Sequence, residues 1–119
     1  MERIFRFVET GKAIWVASSV LTTEIRKNPD PRRREDALAM LRRATEIQFP
    51  DGQIAARAKL LASLGYGNFD ALHLAFAERF KVDVLLTTDD RFLRQARRGL
   101  GNPTVKVASP LEYEKEAQR

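Results

Sequence analysis

Apolar and polar residues follow each other along the chain in short blocks that predict helices separated by strands. Four longer stretches with helical spacing of apolar residues are predicted as helices: Met1–Thr10, Arg32 to about Ala44, the segment between Asp51 and Gly65, and Phe69–Phe80. Asp89–Arg98 is a further predicted helix, and shorter ones are expected from Pro110 and after Ser18 and Ser19, which can cap the helix that follows them. Asp51 is expected to cap the helix that ends at Gly65. Short runs of strand-forming residues predict strands at Ala13–Ala17, Glu46–Phe49, Val82–Thr87 and Thr104–Val107.

This alternation of strands and helices is typical of a parallel sheet with helices on both faces. The sequence therefore predicts the α/β class, as a three-layer α/β/α fold with a mainly parallel sheet, and residues 1–119 as one domain. Val82–Thr87 is the most apolar of the predicted strands, so we expect it inside the sheet, buried on both faces. In such folds ligands bind beyond the carboxyl ends of the strands.

The charge of the chain favours polyanionic partners without deciding for them. The net charge is +5, and arginines cluster at Arg32–Arg34, Arg42–Arg43 and Arg97–Arg98. A basic surface attracts nucleic acid through counterion release, but arginines on exposed helix faces also serve only to solvate a protein, and both interpretations stay open. The chain has no cysteine, no signal peptide and no apolar run of membrane-spanning length, so we expect a cytoplasmic protein that does not contact membrane.

Three acidic residues stand out because each follows a predicted strand or begins a predicted helix. They are Glu24, Asp70 and Asp89. Carboxylates brought together at one end of a sheet repel each other unless they share a proton or bind a cation, and Mg²⁺ prefers such oxygen ligands. Each also has an ordinary explanation: Asp70 complements a helix dipole, Asp89 caps a helix, and Glu24 lies on an exposed helix face.

Two other side chains are candidates for a functional role. His73, the single histidine, lies three residues after Asp70 and is expected to be a packed or surface residue rather than a catalytic one. Tyr66, between two glycines, is expected to pack on a helix, with stacking on an RNA base as the alternative.

Several segments resemble the PIN domain family. Residues 68–77 (NFDALHLAFA) resemble the helix of that family that begins with an aspartate, and residues 85–92 (LLTTDDRF) resemble its strand ending in Thr-x-Asp with an aromatic residue three positions on. Residues 17–25 (ASSVLTTEI) resemble the segment in which a strand and serine residues precede the family's glutamate. Residues 104–110 resemble its closing strand and the loop after it.

The resemblance implies a metal-dependent nuclease, in many members a ribonuclease and in prokaryotes often the toxin of a toxin–antitoxin pair. It implies that Glu24, Asp70 and Asp89 are the catalytic, metal-binding acids and that Mg²⁺ or Mn²⁺ is the cofactor. Thr87 is expected to hold the site in place through its hydroxyl. Asp90 is an auxiliary candidate acid that has no firm counterpart in the family. The expected partners are RNA, an antitoxin or another protein, and further copies of the same chain.

One part of the family pattern is missing. PIN domains open with a strand that carries their first aspartate, whereas only the helical residues 1–10 (MERIFRFVET) precede Ala13. We therefore expect a domain incomplete at its N-terminus, weak or inactive as a ribonuclease, with unpaired strand edges beside Ala13–Ala17 and Val82–Thr87. The alternatives are a non-catalytic PIN remnant that binds RNA or protein, and a structural fragment with a wrongly assigned start codon.

Overall fold

Short strands are separated by one or two helices through the whole of the described chain. The structure is a computed structural model that describes residues 2–117, and these fall into two compact units, an N-terminal unit Glu2–Pro50 and a C-terminal unit that begins at Asp51. Both units contain helices and parallel strands, which confirms the predicted α/β class. No helix of residues 2–117 combines the length and apolar character needed to span a bilayer.

The N-terminal unit contains three helices and one pair of strands. Its elements are α1 (Glu2–Glu9), β1 (Val16–Ser18), α2 (Ser19–Arg26), α3 (Pro31–Leu41) and β2 (Glu46–Gln48). The two strands run parallel, with Val16 opposite Glu46. Ser18 caps α2 as predicted, because its hydroxyl accepts a hydrogen bond from Val20 N at 3.1 Å.

The C-terminal unit contains four helices and the second pair of strands. Its elements are α4 (Gly52–Ser63), α5 (Asn68–Arg79), β3 (Val84–Leu86), α6 (Asp90–Arg97), β4 (Lys106–Ala108) and α7 (Pro110–Ala117). β3 and β4 run parallel, with Leu85 opposite Val107. Asp51 caps α4 as predicted by accepting a hydrogen bond from Ile54 N at 2.9 Å.

The strands are shorter than predicted, and the expected position of β3 is wrong. Val84–Leu86 is half-buried and pairs with β4 alone, so it is not the interior strand that the run Val82–Thr87 predicted. Within residues 2–117 each of the four strands has one hydrogen-bonded neighbour. An apolar run shows that a segment is shielded from water, but the number of neighbouring strands depends on distant parts of the chain. Met1, which the first predicted helix included, lies outside the described residues.

The core of the C-terminal unit is built on the contact between α4 and α5. From α5 the side chains of Ala71, Leu74, Ala75, Phe76 and Ala77 are buried. They meet Ile54, Ala58 and Leu61 of α4, of which Leu61 is fully shielded from solvent. Small residues alternate with large ones along α5, which allows the two helices to approach closely and the large side chains to fill the space between them.

An ion pair joins these two helices to the loop before β4. Arg57 Nε donates to Glu78 Oε1 at 2.9 Å, and a terminal guanidinium nitrogen of Arg57 donates to the carbonyl of Gly101 at 2.6 Å. Glu78 also accepts a hydrogen bond from Thr104 N at 3.0 Å. Burial raises the pKa of Glu78, but its hydrogen bonds from Arg57 and Thr104 outweigh this and the pKa lies below its ordinary value. The pair therefore fixes the loop against both helices.

The first prediction concerns Gly101, which lies in this loop. Its φ is +75°, and a Cβ atom there would lie 2.8 Å from Leu61 Cδ2 and 3.2 Å from Leu64 Cδ1. Gly101→Ala should lower the free energy of unfolding by about 2–4 kcal/mol, because backbone strain and overpacking add together. Chemical denaturation measures the change.

Gly99→Ala is the matched control for this substitution. Gly99 has nearly the same φ, +76°, but nothing lies within 4 Å of the added Cβ. We expect a cost of about 1–2 kcal/mol from backbone strain alone. Equal losses for the two variants would contradict the close packing of Gly101 on Leu61.

Candidate active site

Asp89 is held by local hydrogen bonds at the point where β3 passes into α6. Its carboxylate accepts a hydrogen bond from Phe92 N at 3.1 Å and so caps α6. The Thr87 hydroxyl accepts a hydrogen bond from Asp89 N at 3.1 Å, and Thr87 N donates to the carbonyl of Ala108 at 3.0 Å. The ordinary explanation of Asp89 as a helix cap is therefore confirmed. A carboxylate accepts about four hydrogen bonds, so capping leaves room for another ligand.

Asp70 lies in the first turn of α5, as predicted, and is half-buried. Gly67 is the N-cap residue of α5 and provides no side chain for capping. A Cβ at Gly67 would lie 3.4 Å from Asp70 Oδ2, so the carboxylate reaches back over the start of its own helix. A negative charge at this position is favoured by the helix dipole.

Tyr66 connects the beginnings of these two helices. Its ring meets the Phe92 ring edge-on, with centroids 5.9 Å apart, and its hydroxyl donates to the carbonyl of Leu100 at 2.8 Å. Gln95 Nε2 also donates to the carbonyl of Gly65 at 3.0 Å. Burial raises the pKa of Tyr66, which is 3% exposed. The packed position expected for Tyr66 is confirmed, and it fixes the loop before Asp70 against the first turn of α6.

The remaining site candidates differ in their surroundings. Asp90 is exposed in the first turn of α6. His73 is half-buried on α5. Glu24 is half-buried on α2 of the N-terminal unit, so it belongs to a different unit from Asp70 and Asp89. The convergence of the three acids on one site stays a prediction.

The oxygen ligands of these acids determine which metals suit them. Mg²⁺ and Mn²⁺ are held by one or two carboxylates together with several waters, which is the donor chemistry of Asp70 and Asp89. Within residues 2–117, however, no group of three or more His, Asp or Glu side chains is arranged to hold a metal ion.

Comparison with known families decides the relationship. A profile described as PIN domain matches residues 10–98, about three quarters of the chain. The chain belongs to the PIN domain family. The matched region contains Glu24, Asp70 and Asp89 and confirms the resemblance seen in their segments. Neither the curated proteins nor the solved structures give a significant match to the chain.

Family membership confirms the fold class and shows which chemistry is general in the family. PIN domains have a three-layer α/β/α fold and are generally magnesium-dependent nucleases that commonly bind RNA and sometimes antitoxins. The family match ends at residue 98, so it does not include the predicted closing strand, which the structure places at Lys106–Ala108.

Sequence reasoning missed two further arginines of α6. It singled out Arg97 and Arg98, whereas Arg91 and Arg94 are also exposed and precede Arg98 by seven and four positions. The spacing i, i+3, i+7 in the segment DRFLRQARR was the signal that places three of these arginines on one helix face.

The second prediction separates the capping role of Asp89 from its chemistry. Asparagine is as good an N-cap as aspartate, so Asp89→Asn should leave the midpoint of thermal unfolding nearly unchanged. Asp89→Ala removes the acceptor for Phe92 N and should cost about 1 kcal/mol, or roughly 4 °C. Differential scanning calorimetry compares the two. If Asp89→Asn unfolds as early as Asp89→Ala, the charge of Asp89 matters to stability beyond its cap.

Proposed function

We propose that this PIN domain binds single-stranded RNA and is weak or inactive in hydrolysing it. The proposal rests on a difference between the groups available to bind RNA and those available to cleave it. The chain has a net charge of +5 and exposed arginines on α3 and α6, whereas Asp89, one of the proposed metal ligands, already caps α6 with its carboxylate. Phosphate affinity depends on the cations and persists without the metal.

The residues proposed to act on RNA are Glu24, Asp70 and Asp89, with Mg²⁺ or Mn²⁺ as the cofactor. Such an ion, when bound, polarises a phosphate oxygen and activates water. Asp70 and Asp89 would hold it from the starts of α5 and α6, and Thr87 would keep Asp89 in place through the hydrogen bond to its backbone N–H. Asp90 is the auxiliary acid. A cytoplasmic setting fits a protein that acts on RNA.

Weak hydrolysis follows from the geometry that metal-assisted cleavage requires. An attacking water must be fixed close to the phosphorus, and a displacement of about 1 Å costs roughly a hundredfold in rate. Asp89 already uses one oxygen to cap α6. A small set of acids, one of which also caps a helix, holds an ion less rigidly than a complete set of ligands.

The third prediction tests binding and cleavage together. Labelled single-stranded RNA incubated with the protein and Mg²⁺ or Mn²⁺ should be bound tightly at low salt but cleaved slowly or not at all. Affinity should fall as salt rises, by about 0.7 in log K per unit of log salt for each neutralised phosphate. Filter binding and gel electrophoresis provide the two readouts.

Asp89→Asn is the control for this experiment, because it keeps the cap. Fast cleavage abolished by this substitution would contradict weak hydrolysis and show that these acids suffice. Slow cleavage that Asp89→Asn abolishes would support a weak nuclease, whereas unchanged binding with no cleavage by either protein would favour the second candidate function, a PIN remnant that binds RNA without catalysis. Absence of binding at low salt would favour a purely structural fragment.

We further propose that the chain associates with a second copy of itself. Each described strand has one hydrogen-bonded neighbour, and a two-stranded sheet is marginal alone. β2 carries an exposed apolar side chain, Ile47, which is 50% exposed, and the next apolar residue, Phe49, is 71% exposed. Exposed apolar strand edges favour pairing between chains.

The fourth prediction is that Ile47→Lys lowers self-association. The protein should show a concentration-dependent rise in mass by light scattering, and a lysine on the edge strand should suppress it. Leu111→Lys is the matched control, because Leu111 is 61% exposed on a helix and should not matter. A monomer at every concentration would exclude self-association and leave another protein, such as an antitoxin, as the partner to seek.

A further inference from the structure

Four exposed arginines line one side of α6. Arg91, Arg94, Arg97 and Arg98 together occupy about a third of the helix circumference, opposite the buried Phe92 and Leu93. The helix is about 12 Å long, and Asp89 caps its first turn. These four side chains, here called the arginine stripe, therefore run from the candidate catalytic acid Asp89 to the far end of α6.

An open groove lies at the far end of the arginine stripe. Its volume is about 470 Å³, and its lining includes the apolar side chains of Ala96, Pro103 and Val105, the cations Arg97 and Lys106, and the acid Glu112. Arg97 ends α6 and Lys106 begins β4, so the groove continues the positive charge of the arginine stripe onto the strand. The carbonyls at the end of α6 carry partial negative charge, which the arginines there offset.

Both cations of the groove are paired with acids of α7. Arg97 donates to both carboxylate oxygens of Glu112 at 2.5 Å, and Lys106 Nζ donates to Glu116 at 2.6 and 2.8 Å. Glu112 and Glu116 are four residues apart, so they lie on one face of α7. α7 thus presents two negative charges to the groove at the places where a phosphate chain would meet Arg97 and Lys106.

These two ion pairs link α7 to α6 and β4, and both are exposed. The side chains of Arg97 and Glu112 are 50% and 45% exposed, and those of Lys106 and Glu116 are 53% and 55% exposed. None of residues 110–116 is buried. Exposed ion pairs contribute little and are screened by salt, so a polyanion can compete with α7 for the same cations.

The start of α7 is stabilised independently of the groove. Ser109 N donates to Glu112 Oε1 at 3.1 Å, and Glu112 N donates to the Ser109 hydroxyl at 3.2 Å, which is a reciprocal capping box. The hydrogen bond from Arg97, with those from Ser109, lowers the pKa of Glu112 to about 2, so this acid is charged at neutral pH. Release of α7 from the groove therefore need not unfold its first turn.

We infer that the arginine stripe and the groove bind the phosphate backbone of RNA, and that α7 covers the far part of this surface as an acidic competitor. The inference rests on the proposed RNA binding of this PIN domain and adds where the RNA lies and what limits its affinity. RNA that follows the arginine stripe reaches Asp89 at one end and displaces Glu112 and Glu116 at the other.

The fifth prediction concerns the double variant Glu112→Gln/Glu116→Gln. Glutamine preserves the capping box but removes both charges, which frees Arg97 and Lys106. The variant should bind a labelled single-stranded RNA about three- to tenfold more tightly at low salt, and this gain should shrink as salt rises, because salt also screens the ion pairs that hold α7 in the unaltered protein. Hydrogen exchange should show that RNA lowers the protection of α7 amides in the unaltered protein.

Two further variants control for net charge and for location. Glu46→Gln/Asp83→Asn changes the net charge by the same amount at two exposed acids outside α7. It should raise RNA affinity less than the α7 double variant does. Adding Arg97→Gln/Lys106→Gln to the α7 double variant should abolish the gain in affinity. Two results together would overturn the inference: the α7 double variant gains no more RNA affinity than the charge control, and the α7 amides stay protected from hydrogen exchange when RNA is bound. RNA would then bind elsewhere on the protein.

If neither the unaltered protein nor the α7 variant binds RNA at low salt, the phosphate surface does not exist and the inference is overturned. That result would also overturn the proposed RNA binding, whereas RNA binding without extra tightening in the α7 variant overturns the inference alone, so the two failures are distinguishable.

Discussion

Burial of α5 is the constraint on which the C-terminal unit depends. Five of its side chains are buried, and α4 supplies most of the surface that covers them. Because the helix is fixed along its length, the groups at its two ends are fixed as well. Asp70 is held at its start, and Glu78 near its end receives hydrogen bonds from Arg57 and Thr104. Packing, the internal ion pair and the candidate site are therefore coupled through one helix.

The starts of α5 and α6 combine structural and chemical roles in the same residues. The ring of Tyr66 links the loop before α5 to Phe92, and Phe92 N donates a hydrogen bond to the Asp89 carboxylate. A cap of this kind orients a carboxylate at the carboxyl end of a parallel strand, which is where α/β folds bind ligands. The same hydrogen bond uses an oxygen of Asp89 that the proposed metal would need, so the helix cap and the proposed metal site share one side chain.

Local features of the fold were predictable from the sequence, and distant contacts were not. Ser18, Asp51 and Asp89 were identified as helix caps because capping depends on residues two or three positions apart. The ion pair between Arg57 and Glu78 joins residues 21 positions apart, and the hydrogen bond from Arg57 to Gly101 joins residues 44 positions apart. No local sequence pattern predicts either contact. The half-buried state of Val84–Leu86 was missed for the same reason. The family and the segments of the three acids were recognised, whereas their joint placement stays a prediction.

The most direct test of a cation site at Asp70 and Asp89 is paramagnetic broadening by Mn²⁺ in a two-dimensional NMR spectrum of the labelled protein. The account predicts that amide signals near the starts of α5 and α6 broaden together, that Mg²⁺ restores them, and that Asp89→Asn weakens the effect at both helices. Broadening confined to other acids, or unaffected by Asp89→Asn, would contradict the assignment of these residues to the metal.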